Sequence, residues 1–330
     1  MFSSSFKEPL RVVVSGAAGQ ISYSGLLSKL LNGDCFGRDT PIELRLLEIP
    51  PAVRACEGVV KELHDCAFPL LKDIKITTEA DEAFDGVDYA FLVGAFPRKK
   101  GMERSDLLQR NKDIFVKQGK SLNRFGKETT KVVVVGNPAN TNALICSEYA
   151  HSLPKKNFSC MSRLDHNRTI SQVAKHTGAT HVKNCCIFGN HSPTMVPVVE
   201  PATLETKEGL TVAADCLLTS VSKEMITDTV RQRGSEIIAF RGLSSALSAA
   251  KAAVDHVKDW ASGTQPGEFV SMGVCSDGSY GVPEGLFSSY PVVCKGGEWS
   301  IVHGLGLSEA QKEAIEISAK ELLKEAEMVL

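Results

Sequence analysis

Residues 14–19 (VSGAAG) could bind a phosphate group through their backbone. They follow a run of β-branched residues and precede a predicted helix, so the small residues lie between a strand and a helix N-terminus. Gly16 would let the main chain approach a pyrophosphate, Gly19 would let helix and strand pack closely, and the helix N-terminus would present N–H groups to the anion. Because Val14 replaces the first glycine of the G-x-G-x-x-G pattern, a glycine turn without a ligand stays open as an alternative.

Glu48 lies at the end of the next predicted strand, in LRLLEIPP. Its charge helps to decide which dinucleotide the glycine turn would bind. A carboxylate at the carboxyl end of the second parallel strand can accept hydrogen bonds from the adenosine ribose and would repel a 2′-phosphate. The expected cofactor is therefore NAD rather than NADP, and a solvated strand end is the alternative. The separation from Gly19 exceeds the usual ~20 residues, which an inserted loop at residues 32–41 explains.

Other polar residues cluster at predicted strand ends and in loops, where an α/β sheet assembles its site. These segments are residues 97–104 (PRKKGMER), 136–140 (GNPAN), 163–168 (RLDHNR) and 189–192 (GNHS). They contain a histidine that can exchange protons near neutral pH and arginines that can bind a carboxylate. Taken singly, His191 could be a structural histidine and Asp165 could merely cap the helix that follows it.

The elements that must position these residues alternate along the first half of the chain. Helical stretches separate the short apolar runs, which cover residues 11–16, 42–49, 73–77, 89–94 and 131–136. Continuous apolar runs of this kind are typical of strands buried on both faces of a parallel sheet. We therefore predict an α/β fold with a Rossmann-type doubly wound parallel sheet over residues 1–155.

The second half, residues 156–330, has a mixed pattern that predicts an α+β domain. Strand-like segments end at Gly189 or cover residues 269–274 and 290–294, and helices are predicted after Asp165 and over residues 243–260. A last helix begins at Ser308, which forms a capping-box pattern with Gln311. We expect this half to bind the substrate and to supply catalytic groups.

Composition excludes several classes of protein. The chain has 330 residues, 43% of them hydrophobic and 23% charged, which is typical of a globular protein. Its length is sufficient for two domains, and one large domain stays open as an alternative. Its net charge of −2 offers no basic surface for nucleic acid or an anionic membrane. We find no secretory signal, no apolar run of membrane-spanning length and no C-x-x-C motif among the ten cysteines, and we predict no metal site.

Six segments taken in order resemble the lactate/malate dehydrogenase superfamily: GAAGQI, DCAFPLL, PRKKGMER, VVGNPANTN, RLDHNR and GNHS. The resemblance runs from about Leu10 to the C-terminal helix and is greatest to the cytosolic-type malate dehydrogenases. It implies an NAD-dependent oxidoreductase that interconverts L-malate and oxaloacetate in malate metabolism and the tricarboxylic acid cycle. It also implies a cytoplasmic homodimer.

The resemblance implies a role for each polar residue. His191 would be the general base and acid, because an alcohol loses its hydroxyl proton as hydride leaves. Asp165 would orient the imidazole and stabilise its protonated form. Arg168 would donate two hydrogen bonds to the carboxylate next to the reacting carbon. Arg104 would polarise the reacting oxygen. Asn137 would bind both the substrate and the cofactor, before a cis Pro138.

Arg98 matches the family position that pairs with the second carboxylate of malate. A desolvated arginine left unpaired costs about 3–5 kcal/mol, so oxaloacetate should be strongly preferred over pyruvate. The alternative is that residues 98–100 are a solvated basic loop. Ser245 matches a small polar residue on the substrate side, with a helix-start residue as its alternative.

The cofactor contacts that we expect lie in the glycine turn, at two strand ends and on the helix after residue 103. They are Gly16, Ala17, Ala18, Gly19, Gln20, Ile21, Glu48, Asn111, Gln118, Val135, Gly136 and Asn137. Glu48 stands where the family usually has aspartate, and Phe96 stands where methionine is common. Two further functions stay open: a related 2-hydroxy-acid dehydrogenase with a broader or aromatic substrate range, and a nucleotide-binding regulator without turnover.

Overall fold

The apolar runs of the first half form parallel strands, as predicted. In a computed structural model, which describes residues 7–97 and 104–330, these strands are β1 (Leu10–Ser15), β2 (Ile42–Leu47), β3 (Leu71–Thr77), β4 (Tyr89–Leu92) and β5 (Lys131–Val134). A sixth parallel strand, β6 (Phe158–Cys160), was not predicted from the sequence. Each neighbouring pair is parallel, and the order across the sheet is β3-β2-β1-β4-β5-β6. This is the strand order of a doubly wound dinucleotide-binding sheet.

Helices connect these strands in sequence. A π-helical segment, Ser22–Leu26, runs into α1 (Leu27–Leu31), and the helices that follow are α2 (Val53–Asp65), α3 (Ala80–Phe84), α4 (Arg104–Phe125) and α5 (Ala139–Glu148). The central strands have no exposed surface at Val13, Phe91 and Val132. Burial on both faces explains why the runs are continuously apolar rather than alternating.

The second half is built from short antiparallel strands and long helices, which confirms the α+β prediction. Its strands are β7 (His181–Lys183), β8 (Cys186–Phe188), β9 (Val196–Val198), β10 (Thr203–Glu205), β11 (Thr211–Ala213), β12 (Val270–Cys275), β13 (Phe287–Lys295) and β14 (Glu298–Ile301). Its helices are α6 (Arg163–Thr177), α7 (Ser220–Arg241), α8 (Leu247–Ser262) and α9 (Glu309–Val329). The antiparallel ladders are β12-β13-β14, β11-β10-β7 and β8-β9.

The chain divides into two compact units. The first unit runs to Cys160 and also includes Ala246–Lys258 and Glu325–Leu330. The second unit comprises Met161–Ser245 and Asp259–Lys324, and its core contains Ile187, Leu204 and Ile226. In the part of the chain that the structure describes, every helix is too short or too polar to cross a membrane.

Two helix starts test the sequence patterns. The N–H of Gln311 donates to Ser308 Oγ at 3.2 Å and the N–H of Ser308 donates to Gln311 Oε1 at 2.9 Å, so the predicted capping box begins α9. The helix predicted over residues 243–260 begins later, at Leu247. Gly242 ends α7 in a left-handed conformation, with a φ of 70°, and the chain needs several residues to turn before α8.

Candidate active site

The glycine turn after β1 depends on close backbone contact in the first unit. Gly16 has a φ of +66°, and a Cβ atom on it would lie 2.7 Å from Cα of Gly94, beyond the end of β4. Gly19 closes the turn by donating its N–H to the Gly16 carbonyl at 3.0 Å. The turn therefore needs glycine at position 16 to stay against the sheet. Ala17 is buried, whereas the other predicted contacts of the turn retain exposed surface: Gly16, Ala18, Gly19, Gln20 and Ile21.

Glu48, directly after β2, is fixed on the glycine turn. Its Oε1 accepts the Ala18 N–H at 2.7 Å, its Oε2 accepts the Ile49 N–H at 3.1 Å, and only 8% of the residue is exposed. Glu48 is thus not a solvated strand end. A fixed negative charge beside a phosphate-binding turn suits a ribose diol and opposes a 2′-phosphate. This part of the first unit fits NAD better than NADP.

The ends of β4 and β5 complete the carboxyl edge of the parallel sheet. Val135 and Gly136 are buried after β5, and a Cβ atom at Gly136 would lie 2.6 Å from the Ala95 Cβ. Asn137 is exposed, and its peptide bond to Pro138 is cis, as predicted. The turns after β1, β2 and β5 lie at one edge of the sheet, which is where doubly wound folds bind their ligands.

Asn111 and Gln118 both lie on buried parts of α4. The Asn111 Oδ1 accepts the Phe96 N–H at 2.9 Å, and its Nδ2 donates to the carbonyls of Leu107 at 2.9 Å and Phe96 at 3.3 Å. Asn111 therefore holds the backbone just before the 97–104 segment. Gln118 is 6% exposed, and its Oε1 has no hydrogen-bond partner among the residues that the structure describes. Contact of either residue with a nucleotide stays a prediction.

His191 and Asp165 form a hydrogen-bonded pair in the second unit. Asp165 lies in the first turn of α6, two residues after the helix begins at Arg163, so it is not the N-cap residue. Its side chain has no exposed surface, and its Oδ2 lies 2.5 Å from Nδ1 of His191, whose side chain is 16% exposed. The contact orients the imidazole and leaves Nε2 as the ring nitrogen directed away from Asp165.

The charges around His191 favour its protonated form. Burial lowers the pKa of His191, but the charge of Asp165 and the hydrogen bond to it more than compensate, so the pKa is raised above its ordinary value. The positive charge of Arg168 opposes this rise. A histidine held in this way can accept a proton near neutral pH and be stabilised as the imidazolium.

Arg168 binds the other oxygen of Asp165. Its Nη1 donates to Asp165 Oδ1 at 3.1 Å, its Nη2 donates to Ser245 Oγ at 3.0 Å, and its side chain is 12% exposed. Burial lowers the pKa of Arg168 and Asp165 opposes this, although a guanidinium remains charged in either case. As predicted from their i,i+3 spacing, Asp165 and Arg168 lie on one face of α6. Ser245, just before α8, touches the guanidinium directly.

His166, the other histidine of the RLDHNR segment, has a structural role. It is 2% exposed, and its Nδ1 lies 3.0 Å from Ser271 Oγ, which also accepts the Ile187 N–H at 2.9 Å. Burial, together with the nearby charge of Arg163, lowers the pKa of His166 well below its ordinary value. His166 is therefore neutral in the folded chain and is not a suitable proton carrier.

Two predicted substrate residues lie wholly or partly outside the described part of the chain. Arg98 is outside the described residues, and Arg104 is described only as the first residue of α4.

Sequence reasoning missed Ser318 and Glu321 of α9, which contact the turn around His191. No local sequence pattern links these two residues to the segment around His191. Among the described residues, no group of histidine, cysteine, aspartate or glutamate side chains is arranged to hold a metal ion.

Comparisons with known proteins agree with this geometry. The family model described as "lactate/malate dehydrogenase, NAD binding domain" matches residues 10–159, and the "alpha/beta C-terminal domain" model of the same family matches residues 162–330. A protein of Caenorhabditis elegans named "Malate dehydrogenase, cytoplasmic" is 51% identical, over 98% of this chain and 97% of its own length.

Solved structures give the same result. The malate dehydrogenase of Naegleria fowleri is 42% identical with a TM-score of 0.91, over 98% of each chain. A lactate dehydrogenase of Trichomonas vaginalis, in complex with NADH and oxamate, is 37% identical with a TM-score of 0.91, over 97% of this chain and 98% of that one. The chain therefore belongs to the lactate/malate dehydrogenase family.

Proposed function

We propose that this chain is an NAD-dependent malate dehydrogenase that interconverts L-malate and oxaloacetate in the cytoplasm. The observation that carries the proposal is the arrangement in the second unit, where Asp165 binds both the His191 imidazole and the Arg168 guanidinium. In this proposal His191 is the proton carrier and Arg168 binds a substrate carboxylate, and both contact one buried anion. The names of relatives such as the Caenorhabditis elegans protein support both the substrate and the location.

The second unit would manage the proton and the substrate. NAD, when bound, supplies the acceptor for the hydride that leaves malate. His191 accepts the hydroxyl proton, and Asp165 stabilises the imidazolium that results. Arg168, oriented by Ser245, binds the carboxylate adjacent to the reacting carbon, and Arg104 stabilises charge on the reacting oxygen. In the opposite direction, protonated His191 returns its proton to the oxygen of oxaloacetate.

The first unit would hold the cofactor through the glycine turn and the edge of its sheet. The N–H groups of this turn would bind the pyrophosphate, and Glu48 would accept hydrogen bonds from the adenosine ribose. The remaining contacts that we propose are Gly16, Ala17, Ala18, Gly19, Gln20, Ile21, Asn111, Gln118, Val135, Gly136 and Asn137. Residues 1–155 would form this NAD-binding domain and residues 156–330 the substrate domain.

Arg98 would select the dicarboxylate by pairing with the second carboxylate of malate. This role rests on the residue type and on its place in PRKKGMER. The alternative, a 2-hydroxy-acid dehydrogenase of broader or aromatic range, is the less favoured one, because the more similar relatives are named malate dehydrogenases. Specificity therefore has to be measured rather than assumed from the fold.

The decisive experiment compares oxoacids. NADH oxidation is followed as the loss of nicotinamide absorbance at roughly 340 nm. The substrates are oxaloacetate, pyruvate and phenylpyruvate. We expect kcat/KM for oxaloacetate to exceed that for pyruvate by about two to four orders of magnitude, because one desolvated arginine left unpaired costs about 3–5 kcal/mol. Comparable values would favour the broader dehydrogenase, and NADH binding without turnover of any oxoacid would favour a regulator.

We also propose that the protein is a homodimer that serves malate metabolism and the tricarboxylic acid cycle. Large apolar side chains of α7 are exposed, with Phe240 at 86%, Val221 at 66% and Met225 at 53%, and a partner subunit would remove such surface from water. Sedimentation equilibrium at micromolar concentration should give twice the chain mass. A monomer mass across the concentration range would contradict the dimer.

A further inference from the structure

The turn that carries His191 is bound by a carboxylate from the C-terminal helix. We define the histidine turn as residues 189–194. Glu321 Oε2 accepts hydrogen bonds from Asn190 Nδ2 at 3.0 Å, from Ser192 Oγ at 2.5 Å and from Thr194 Oγ1 at 2.7 Å. Both neighbours of His191 in the sequence are therefore attached to one oxygen of α9, more than a hundred residues away in the chain.

Ser318, one helical turn before Glu321, binds the same segment. The N–H of Asn190 donates to Ser318 Oγ at 2.8 Å, and Thr194 Oγ1 lies 2.9 Å from the same oxygen. Ser318 is fully buried. A Cβ atom on Gly189, which has a φ of +88°, would lie 2.7 Å from the Ser318 Cβ. Glycine at position 189 is what allows the turn to lie directly on the helix.

These contacts act on the position of the imidazole. Asp165 orients the ring through Nδ1, but it cannot by itself fix the backbone from which the ring projects. The Glu321 and Ser318 contacts fix that backbone on both sides of His191. Because catalytic geometry tolerates displacements of only about 0.5 Å, and an error of about 1 Å costs roughly 10²-fold in rate, such anchoring has a catalytic effect.

We propose that Glu321 is a positioning residue for proton transfer by His191. It does not touch the substrate in this proposal. It holds the histidine turn so that the imidazole lies in line with Asp165. The inference rests on the proposed malate dehydrogenase activity, because it assigns His191 the proton-transfer role in that reaction.

The kinetic test compares two substitutions of Glu321 with one elsewhere on α9. In Glu321→Ala, kcat for oxaloacetate reduction should fall about 30- to 100-fold, while the Kd for NADH changes less than about twofold. Glu321→Gln retains an oxygen that can accept the three donors, so it should recover kcat to within about fivefold of the wild type. Glu316→Ala is the matched control, because Glu316 is an exposed carboxylate of the same helix that pairs with Lys320. It should leave kcat unchanged.

Two results would overturn the proposal. One is a Glu321→Ala variant that keeps more than about a third of the wild-type kcat, and the other is a Glu321→Gln variant no better than the alanine variant. If Glu321→Ala does not fold, the donors can be removed from the turn instead. The double variant Ser192→Ala with Thr194→Val leaves α9 intact and should lower kcat in the same direction.

A spectroscopic test separates this proposal from the proposed function. Proton NMR detects the His191 Nδ1 proton that lies between the ring and Asp165 as a downfield resonance, without any turnover. We expect this resonance in the wild type and in Glu321→Gln, and its broadening or loss in Glu321→Ala. If the wild type reduced no oxoacid, the proposed function would fail while this signal still decided the role of Glu321. An unchanged resonance in Glu321→Ala would refute the positioning role.

Discussion

Asp165 has a larger part in the second unit than a carboxylate that only orients a histidine. One of its oxygens contacts His191 and the other contacts Arg168, although the side chain is fully buried. A buried anion with two cationic partners is stabilised by both. His191 and Arg168 are therefore electrostatically coupled through a single side chain.

Asp165→Asn removes this charge while keeping the shape of the side chain. Burial and the Arg168 charge then act on His191 unopposed, so the pKa of His191 should fall below its ordinary value. In the proposed reaction, protonated His191 donates the proton for oxaloacetate reduction, so the rate should decline as pH rises through that pKa. We expect this decline to move to lower pH, with kcat at neutral pH reduced by about 10²–10⁴-fold. Profiles of kcat/KM between about pH 5.5 and 8.5 provide the measurement, and coincident profiles would contradict the coupling.

Glu48→Gln tests the choice of dinucleotide at the same scale. Glutamine can still accept the Ala18 N–H through its oxygen, but it no longer repels a 2′-phosphate. We expect the preference for NADH over NADPH, measured as the ratio of kcat/KM values, to fall by about tenfold or ~1.4 kcal/mol. Glu43→Gln is the control, since Glu43 lies on the same strand and pairs with Arg11. If Glu48→Gln left the ratio of the kcat/KM values for NADH and NADPH unchanged, the charge of Glu48 would not explain a preference for NAD.

At the scale of elements, the glycine turn and α2 provide a contrast between two glycines. Alanine at position 16 would need a positive φ and would meet backbone atoms of Gly94, whereas a Cβ atom on Gly58 in α2 would have no atom within 4 Å. Gly16→Ala should therefore weaken NADH binding at least tenfold and destabilise the first unit by about 1–3 kcal/mol. Gly58→Ala should stabilise α2 by about 0.5–1 kcal/mol and leave binding unchanged. Fluorescence titration and thermal unfolding measure both, and equal effects of the two substitutions would contradict the close-contact argument.

Secondary structure could be predicted from the sequence where the spacing of apolar residues was distinctive. The parallel strands follow from continuous apolar runs, and α9 follows from its capping box and from the buried face that includes Ile315, Ala319 and Leu322. The start of α8 could not be predicted, because the left-handed Gly242 ends α7 and the periodicity of residues 243–246 gives no sign of that break. Periodicity reports which face is buried, but not where the backbone changes direction.

Some residues of the candidate site could likewise be predicted from the sequence, and others could not. Chemically distinctive residues such as His191, Asp165 and Arg168 were predicted from their segments, and the structure places them in contact. Glu321 was not predicted, because its donors lie about 130 residues earlier and no local pattern links them. The resemblance pointed to His191, whereas the structural role of His166 follows only from its burial and its contact with Ser271.

For the whole molecule, His166 and His191 have opposite effects on stability as pH changes. The pKa of His166 is lowered in the folded chain, so below its unfolded value of about 6.5 the unfolded chain binds a proton that the folded chain does not. His166 therefore costs stability as pH falls. The raised pKa of His191 has the opposite effect, since its contribution is present below the unfolded pKa and is lost as pH rises through the folded pKa.

The His166 effect can be isolated by substitution. Between about pH 6.5 and 5 the free energy of unfolding should fall by up to ~1.4 kcal/mol per pH unit on account of this one group. His166→Gln, which can still contact Ser271, should lower stability at neutral pH because of imperfect packing, but should remove this part of the acid slope. His151→Gln is the control, because His151 is exposed, and it should keep the slope. Urea unfolding at a series of pH values supplies the comparison. Equal slopes for wild type and His166→Gln would mean that His166 is protonated without unfolding, and its assignment as a neutral structural histidine would be wrong.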